Sequence, residues 1–200
     1  MSFRYCLAVT LTAALAAAQL PVNLTGRVDR VTDPCNSAAT HKVGCTEILL
    51  RSDTVNLAGF EGRTVDIVGT SVGAANCPMV NVTEAVAAPM STSTLALGGY
   101  RINTNVIFTT TAPVGAFVLY FFSCEPAFLP VLTFGTLQLN PLTDFLYWSL
   151  DISIGVALRN VRIPNEPGLI GQNTLFQTAA VTITPEFSAK LLNAGCFTIR

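Results

Sequence analysis

The run at 144–163, DFLYWSLDISIGVALRNVRI, places Leu150, Ile152, Ile154, Val156 and Leu158 at every second position. Asp151, Ser153, Gly155 and Ala157 alternate with them. A helix would scatter that pattern around its circumference, whereas an extended strand puts alternate side chains on one face. The run therefore predicts antiparallel sheet in a sandwich, with the aliphatic face buried and the other face tolerating polar groups.

The neighbouring segments agree. YRINTNVIFTTT and GAFVLYFFS read as strands joined by Ala112-Pro113-Val114-Gly115, a turn with Pro and Gly suitably placed, and VLTFGTLQL follows as a further strand. After Ile163 comes the corner IPNEPGLIGQ, where Pro164 and Pro167 cannot donate ladder hydrogen bonds and so end the sheet pairing. Gly168 and Gly171 permit the reversal, and Leu169 and Ile170 are expected to tuck beneath the sandwich edge. NTLFQTAAVTIT and AGCFTIR complete the strands.

Upstream, LTGRVDRV, EILLRS, TVNLAGF, RTVDIVGTSV and CPMVNVTEAV read as five short strands. Leu24, Gly26 and Val28 share one face of the first strand; Val65, Ile67 and Gly69 share one face of the fourth, and Val80 and Val82 one face of the fifth. Gly59, Gly62 and Gly69 mark turns or bulges. Five such strands have the size of a small closed barrel. FEGRTVDIVGTSVG resembles the central strand of OB-fold-like domains, which implies an OB-like barrel. Single-stranded nucleic acid sites need basic grooves and stacking aromatics. This segment is net acidic and Phe60 is its only aromatic residue, so nucleic acid is not expected as a partner.

A change in composition separates the two groups of strands at AAPMSTST. Residues 19–88 hold five basic and seven acidic residues, and 89–200 hold five of each. The expected organisation is an OB-like β-barrel domain over 19–88 and an antiparallel β-sandwich domain over 89–200. Ahead of both, MSFRYCLAVTLTAALAAAQ carries Arg4, an apolar run from Tyr5 to Leu15, and Ala16-Ala17-Ala18 before Gln19. That is the pattern of a cleaved signal helix over 1–18, shorter than the ~20 apolar residues of a membrane span. The chain is thus expected to be exported, to the cell envelope or beyond, with no transmembrane anchor after cleavage. Charged residues make up 12% of it, against ~25% in ordinary soluble domains.

Five cysteines follow the signal: Cys35, Cys45, Cys77, Cys124 and Cys196. Export predicts disulfides, and an odd number leaves one thiol outside the internal pairs. Cys35 and Cys45 bracket the polar segment CNSAATHKVGC and are the first expected pair; Cys124 and Cys196 are the second, with Cys77 left over.

Candidate chemistry is sparse. His41 is the only histidine, so any Ser-His-Asp or Cys-His arrangement must use it. Cys35, His41 and Cys45, with Asp33 or Cys77, offer zinc-ligand types without a finger spacing. A disulfide loop with a solvated histidine is the stronger expectation, and no metal or cofactor is expected. Asp144, Asp151 and Glu166 have no spacing that sets up paired carboxylates, and Asp33 and Asp53 no calcium-loop spacing. No catalytic residue is assigned. Tyr120, Phe121, Phe122, Tyr147 and Trp148 are expected in the sandwich core, with an exposed sugar-binding platform as the alternative.

The corner also carries a resemblance. IPNEPGLIGQNTLFQTAAV followed by SAKLLNAGCFTIR resembles the C-terminal β-sandwich of exported proteins of planctomycete and myxobacterial type. Ile163, Pro164, Asn165, Glu166, Pro167, Leu169, Gly171, Phe176 and Gln177 carry the match, while Asn193-Ala194-Gly195 and Cys196 depart from it. The resemblance implies an extracellular or envelope accessory domain without established catalytic residues. The leading expectation is a non-enzymatic binding or structural protein whose partner is a cell-surface or extracellular protein or polymer. A carbohydrate- or polymer-binding accessory module and a secreted hydrolase are the alternatives.

Overall fold

The computed structural model describes residues 19–74, 76–89, 93–142, 146–183 and 186–200, with the backbone alone at 132 and 146–148. The expected signal segment 1–18 and Asp144 lie outside the described residues. The chain is all-β. Five strands form a closed barrel in the order β1-β2-β3-β5-β4: β1 (Pro21–Arg30), β2 (His41–Val43), β3 (Leu49–Arg51), β4 (Thr64–Ser71) and β5 (Met79–Ala87).

Closure depends on β1, which serves two neighbours. Its Pro21–Arg27 part pairs antiparallel with β4, and Val28–Arg30 pairs with β2. The circle is completed by β3 and β5, which run parallel. Alternation places Val22, Leu24, Val28, Val65, Ile67, Val80 and Val82 inside, packed on Ile48 and Leu50, as the sequence pattern requires. Gly69 sits at a register shift between β4 and β5. A Cβ there would collide with the Asn81 carbonyl and Val80, so the close approach of β5 needs glycine.

One expected barrel strand is corrected. TVNLAGF does not join the sheet; Leu57–Phe60 forms a single 3-10 turn. Leu57 and Phe60 lie three apart, the spacing that aligns side chains on a 3-10 turn, and both pack on the barrel core. The vacant strand position is filled by His41–Val43, from the segment expected to be a loop.

The remaining strands build the sandwich. One sheet has the order β11-β8-β13-β14, formed by β8 (Phe117–Ser123), β11 (Leu146–Ile152), β13 (Asn173–Thr182) and β14 (Ser188–Thr198). The facing sheet, β12-β7-β6, contains β6 (Thr94–Gly98), β7 (Asn105–Thr111) and β12 (Val156–Arg162). Phe108 from the smaller sheet lies edge-on to Phe122 and Phe176 of the larger, with ring centroids 5.2 and 5.0 Å away. Edge-to-face contact aligns the ring quadrupoles favourably while filling the interlayer space.

That aromatic filling reverses the expected facing of the DISIGVAL run. Leu150, Ile152, Ile154, Val156 and Leu158 point outward, Ile154 being 85% and Leu158 67% exposed. Ser149, Ser153 and Ala157 are the buried ones. Opposite rings as large as Phe108 and Tyr120, that face of the edge strands carries the small Ser149, Ser153 and Ala157 together with the partly buried Asp151–Arg159 pair. Where the chain passes from β11 to β12, the Ser153 hydroxyl donates to the Ala112 carbonyl (2.9 Å) and accepts the Gly155 N–H (3.0 Å).

The edge strand β6 is held by a side chain that imitates a strand. Asn193 accepts the Thr94 N–H (2.8 Å) and returns its own amide N–H to the Thr94 carbonyl (3.0 Å). A third element, the hairpin of β9 (Pro126–Val131) and β10 (Gly135–Leu139), lies between barrel and sandwich. Phe128 packs on the barrel core. On β10, the Thr136 hydroxyl donates to the Asn23 carbonyl (2.7 Å) and the Gln138 amide to the Thr25 carbonyl (3.0 Å).

The corner is also revised in part. Pro167–Leu169 is a 3-10 turn, and Gly171 has φ +87°, the conformation that favours glycine. Leu169 packs on the sandwich core, but Ile170 is 53% exposed and plugs nothing.

Candidate functional site

A groove of about 640 Å³ on the barrel is lined by Arg30, Thr40, His41, Ser52 and Glu61. Strand β2 places His41 there, pointing into the wall and 6% exposed rather than solvated as expected. Its Nε2 lies 3.1 Å from Glu61 Oε1 and its Nδ1 2.8 Å from Thr40 Oγ1. A carboxylate only accepts, so Nε2 carries the proton and, in the neutral ring, Nδ1 accepts from the Thr40 hydroxyl.

Glu61 is itself part of the closure. It bridges to Val28, the Gly62 N–H donates to the Val28 carbonyl (2.7 Å), and the Val28 N–H to the Arg63 carbonyl (3.0 Å). The His41–Glu61 pair therefore ties β2 to the segment after the 3-10 turn, beside the place where β1 changes partners. Ser52 is similarly occupied. Its hydroxyl donates to the Val82 carbonyl (2.7 Å) and accepts the N–H groups of Thr54 (3.2 Å) and Val55 (2.8 Å). Thr40, His41 and Glu61 thus have the hydrogen-bond order of a hydroxyl, a base and an orienting carboxylate, but the imidazole between them is buried in the wall, and the Ser52 hydroxyl is committed to backbone.

A carboxylate-pair hydrolase would call for two carboxylates in the same pocket. The groove brings one, Glu61. Asp33 borders a separate depression with Lys42 and Glu47. Asp151 pairs with Arg159 at 3.5 Å, and Glu166 is exposed in the corner, so the carboxylate candidates among the described residues are not gathered.

The cysteine pairing is corrected. The bridges are Cys35–Cys77 and Cys45–Cys196, with Cα atoms 6.0 and 5.5 Å apart. Neither Cys35–Cys45 nor Cys124–Cys196 forms, and Cys124, exposed after β8, belongs to neither bridge. Strand β2 separates Cys35 from Cys45 and delivers Cys45 to β14, while Cys35 meets Cys77 at the entrance to β5. With Cys35, Cys45 and Cys77 all bridged, the zinc set built on them has no thiolate to offer.

The aromatic candidates divide. Tyr120 and Phe122 are core, and Phe121 is half-buried. The side chains of Tyr147 and Trp148 lie outside the described residues.

Comparison of the chain with protein-family models, with curated proteins and with solved structures finds no match.

Proposed function

We propose that the protein is an exported, non-enzymatic binding or structural protein of the cell envelope or extracellular space. Its partner on this reading is a cell-surface or extracellular protein or polymer. The observation that carries the reading is how the reactive side chains are used. The only histidine is buried and ties β2 to Glu61 through Nε2, and four cysteines are joined in bridges. General acid–base work requires a group within reach of a substrate proton, and His41 is only 6% exposed.

Two further features support it. The bridges suit an oxidising compartment, in keeping with the apolar N-terminal run and Ala16-Ala17-Ala18. The outer face of the β12-β7-β6 sheet presents Leu95, Leu97, Ile107, Val156 and Leu158, and exposed apolar patches of this kind accompany contact surfaces.

The test is expression of the whole chain in a secreting host. The expected product is extracellular or envelope-bound, begins at Gln19 and carries the two bridges in a non-reducing peptide map. A chain kept inside the cell, starting at Met1 with reduced cysteines, would overturn export. Ester, glycoside or peptide hydrolysis that disappeared in a folded His41→Gln variant would overturn the non-enzymatic part.

A further inference from the structure

The sandwich is open at one end. There β7 and β13 begin and β8, β12 and β14 finish, and the two sheets leave between them a slot of about 190 Å³. Its floor is Val106, Phe108 and Phe122, all buried, with Phe197 on one wall. Only Arg162 and Thr174 bring polar side chains to the lining. The corner singled out in the sequence forms part of this mouth, through Ile163 and Pro164.

Arg162 is the one charged side chain in the lining. The loop before β7 is tied to the segment after β14: the Ile102 N–H donates to the Arg200 carbonyl (3.2 Å) and the Arg200 N–H to the Tyr100 carbonyl (2.7 Å). The Asn103 N–H donates to the Ile163 carbonyl (3.0 Å). These contacts bring together segments carrying Arg101, Arg162 and Arg200, opposed within them by Glu166. Glu125, which follows β8, is held by the Asn140 side-chain amide at 3.0 Å. Among the described residues Arg162 has no ion-pair partner; it gives one hydrogen bond to Asn103 Oδ1 (2.5 Å). A guanidinium has five N–H donors in a fork suited to a carboxylate, and Arg162 is exposed.

From this arrangement we infer that the slot binds a single-chain carboxylate amphiphile, with its alkyl chain between the sheets and its head group on Arg162. This deepens the binding-protein reading by naming a ligand class, and rests on it. The size follows from packing. An apolar cavity of about 150 Å³ accommodates a six-carbon ring, so about 190 Å³ takes roughly seven or eight carbon atoms. The aromatic floor supplies dispersion contact without a polar group that the chain would leave unsatisfied. An anionic head group is favoured because Arg162, the one charged side chain of the lining, offers a fork suited to a carboxylate.

The experiment is titration of the oxidised mature chain with sodium octanoate, followed calorimetrically. Saturable one-to-one binding is expected. Arg162→Gln, a surface change that leaves the floor intact, should weaken octanoate about tenfold or more while leaving 1-octanol unaffected. Thr174→Trp should fill the mouth and abolish binding of both, with an unchanged far-ultraviolet spectrum and two-state melt as the control for folding. Octanoate binding that does not saturate, or that survives both substitutions unchanged, would overturn the assignment. So would equal losses of octanoate and octanol in Arg162→Gln, because the guanidinium would then not be reading charge. Failure of octanoate to bind a correctly bridged, exported chain removes this ligand class alone. Recovery of an unexported, reduced chain would instead bear on the broader reading.

Discussion

Gln177, on β13, accepts the backbone N–H of Gln138, on β10, at 2.9 Å. The same carboxamide donates to the carbonyls of Thr136 (3.0 Å) and Leu192 (2.9 Å), and both glutamines are fully buried. Gln138 passes the connection on to Thr25 of the barrel, so a chain of amides runs from sandwich through hairpin to barrel. It pairs the whole Gln177 carboxamide, while the buried Gln138 Oε1 is left without a partner among the described residues. The register shift between Gln177 and Ala179 lies at the same place on the β13–β14 pairing.

Replacing Gln177 with Leu keeps much of the volume and strands one donor and two acceptors. Each unsatisfied group costs about 1 to 3 kcal/mol, so a loss of roughly 3 kcal/mol or more is expected in denaturant unfolding. A loss below about 1 kcal/mol would mean that the network is dispensable.

The Cys45–Cys196 bridge closes a sequence separation of 151 residues and ties the barrel to the last strand. Removing it as Cys45→Ser with Cys196→Ser should cost about 2 to 5 kcal/mol, much of it through the gain in unfolded-chain entropy. The comparison is equilibrium unfolding of the double variant against the parent, both under non-reducing conditions. Equal midpoints would show that the bridge adds nothing to stability.

Inversion of the DISIGVAL face makes a sharp contrast. Leu158→Thr, on the exposed side, should change stability by no more than about 0.5 kcal/mol. Ala157→Leu, one residue earlier, forces methylenes into the core and should cost roughly 1 to 3 kcal/mol. Thermal melts that ranked the two the other way would restore the facing expected from sequence.

In the corner, Gly171→Ala meets a positive φ and should cost about 1 kcal/mol or more. Ile170→Ala and Glu166→Ala, at exposed positions, should each stay within about 0.5 kcal/mol. Leu169→Ala belongs between those two and a full core deletion, since Leu169 is only partly buried. Chemical denaturation of the four variants gives the ranking directly.

The His41–Glu61 tie predicts a difference between two substitutions at one position. Glu61→Gln keeps an oxygen acceptor for Nε2–H and should be nearly neutral. Glu61→Ala removes it and should cost about 1 kcal/mol, the low end for a lost partner, because water reaches this half-exposed position. Equal stability of the alanine variant and the parent would show that the pair does not brace the barrel.

Much of the architecture was decided locally. Val65, Ile67 and Gly69, or Val80 and Val82, declare strand and inward face together, because a period of two and a one-sided core leave no other register. The positive φ at Gly171 and the sheet-breaking prolines around Glu166 are likewise properties of adjacent residues. What the sequence left open was always set by a distant surface. Leu150 to Leu158 alternate cleanly, but which side faces inward depends on Phe108, Tyr120 and Phe176 having filled the interlayer space. The bond from Cys45 to Cys196, the burial of His41 against Glu61 and the slot beneath Arg162 each join segments remote in sequence. Periodicity reports the conformation of a segment; only the closed barrel and the second sheet determine what that segment meets.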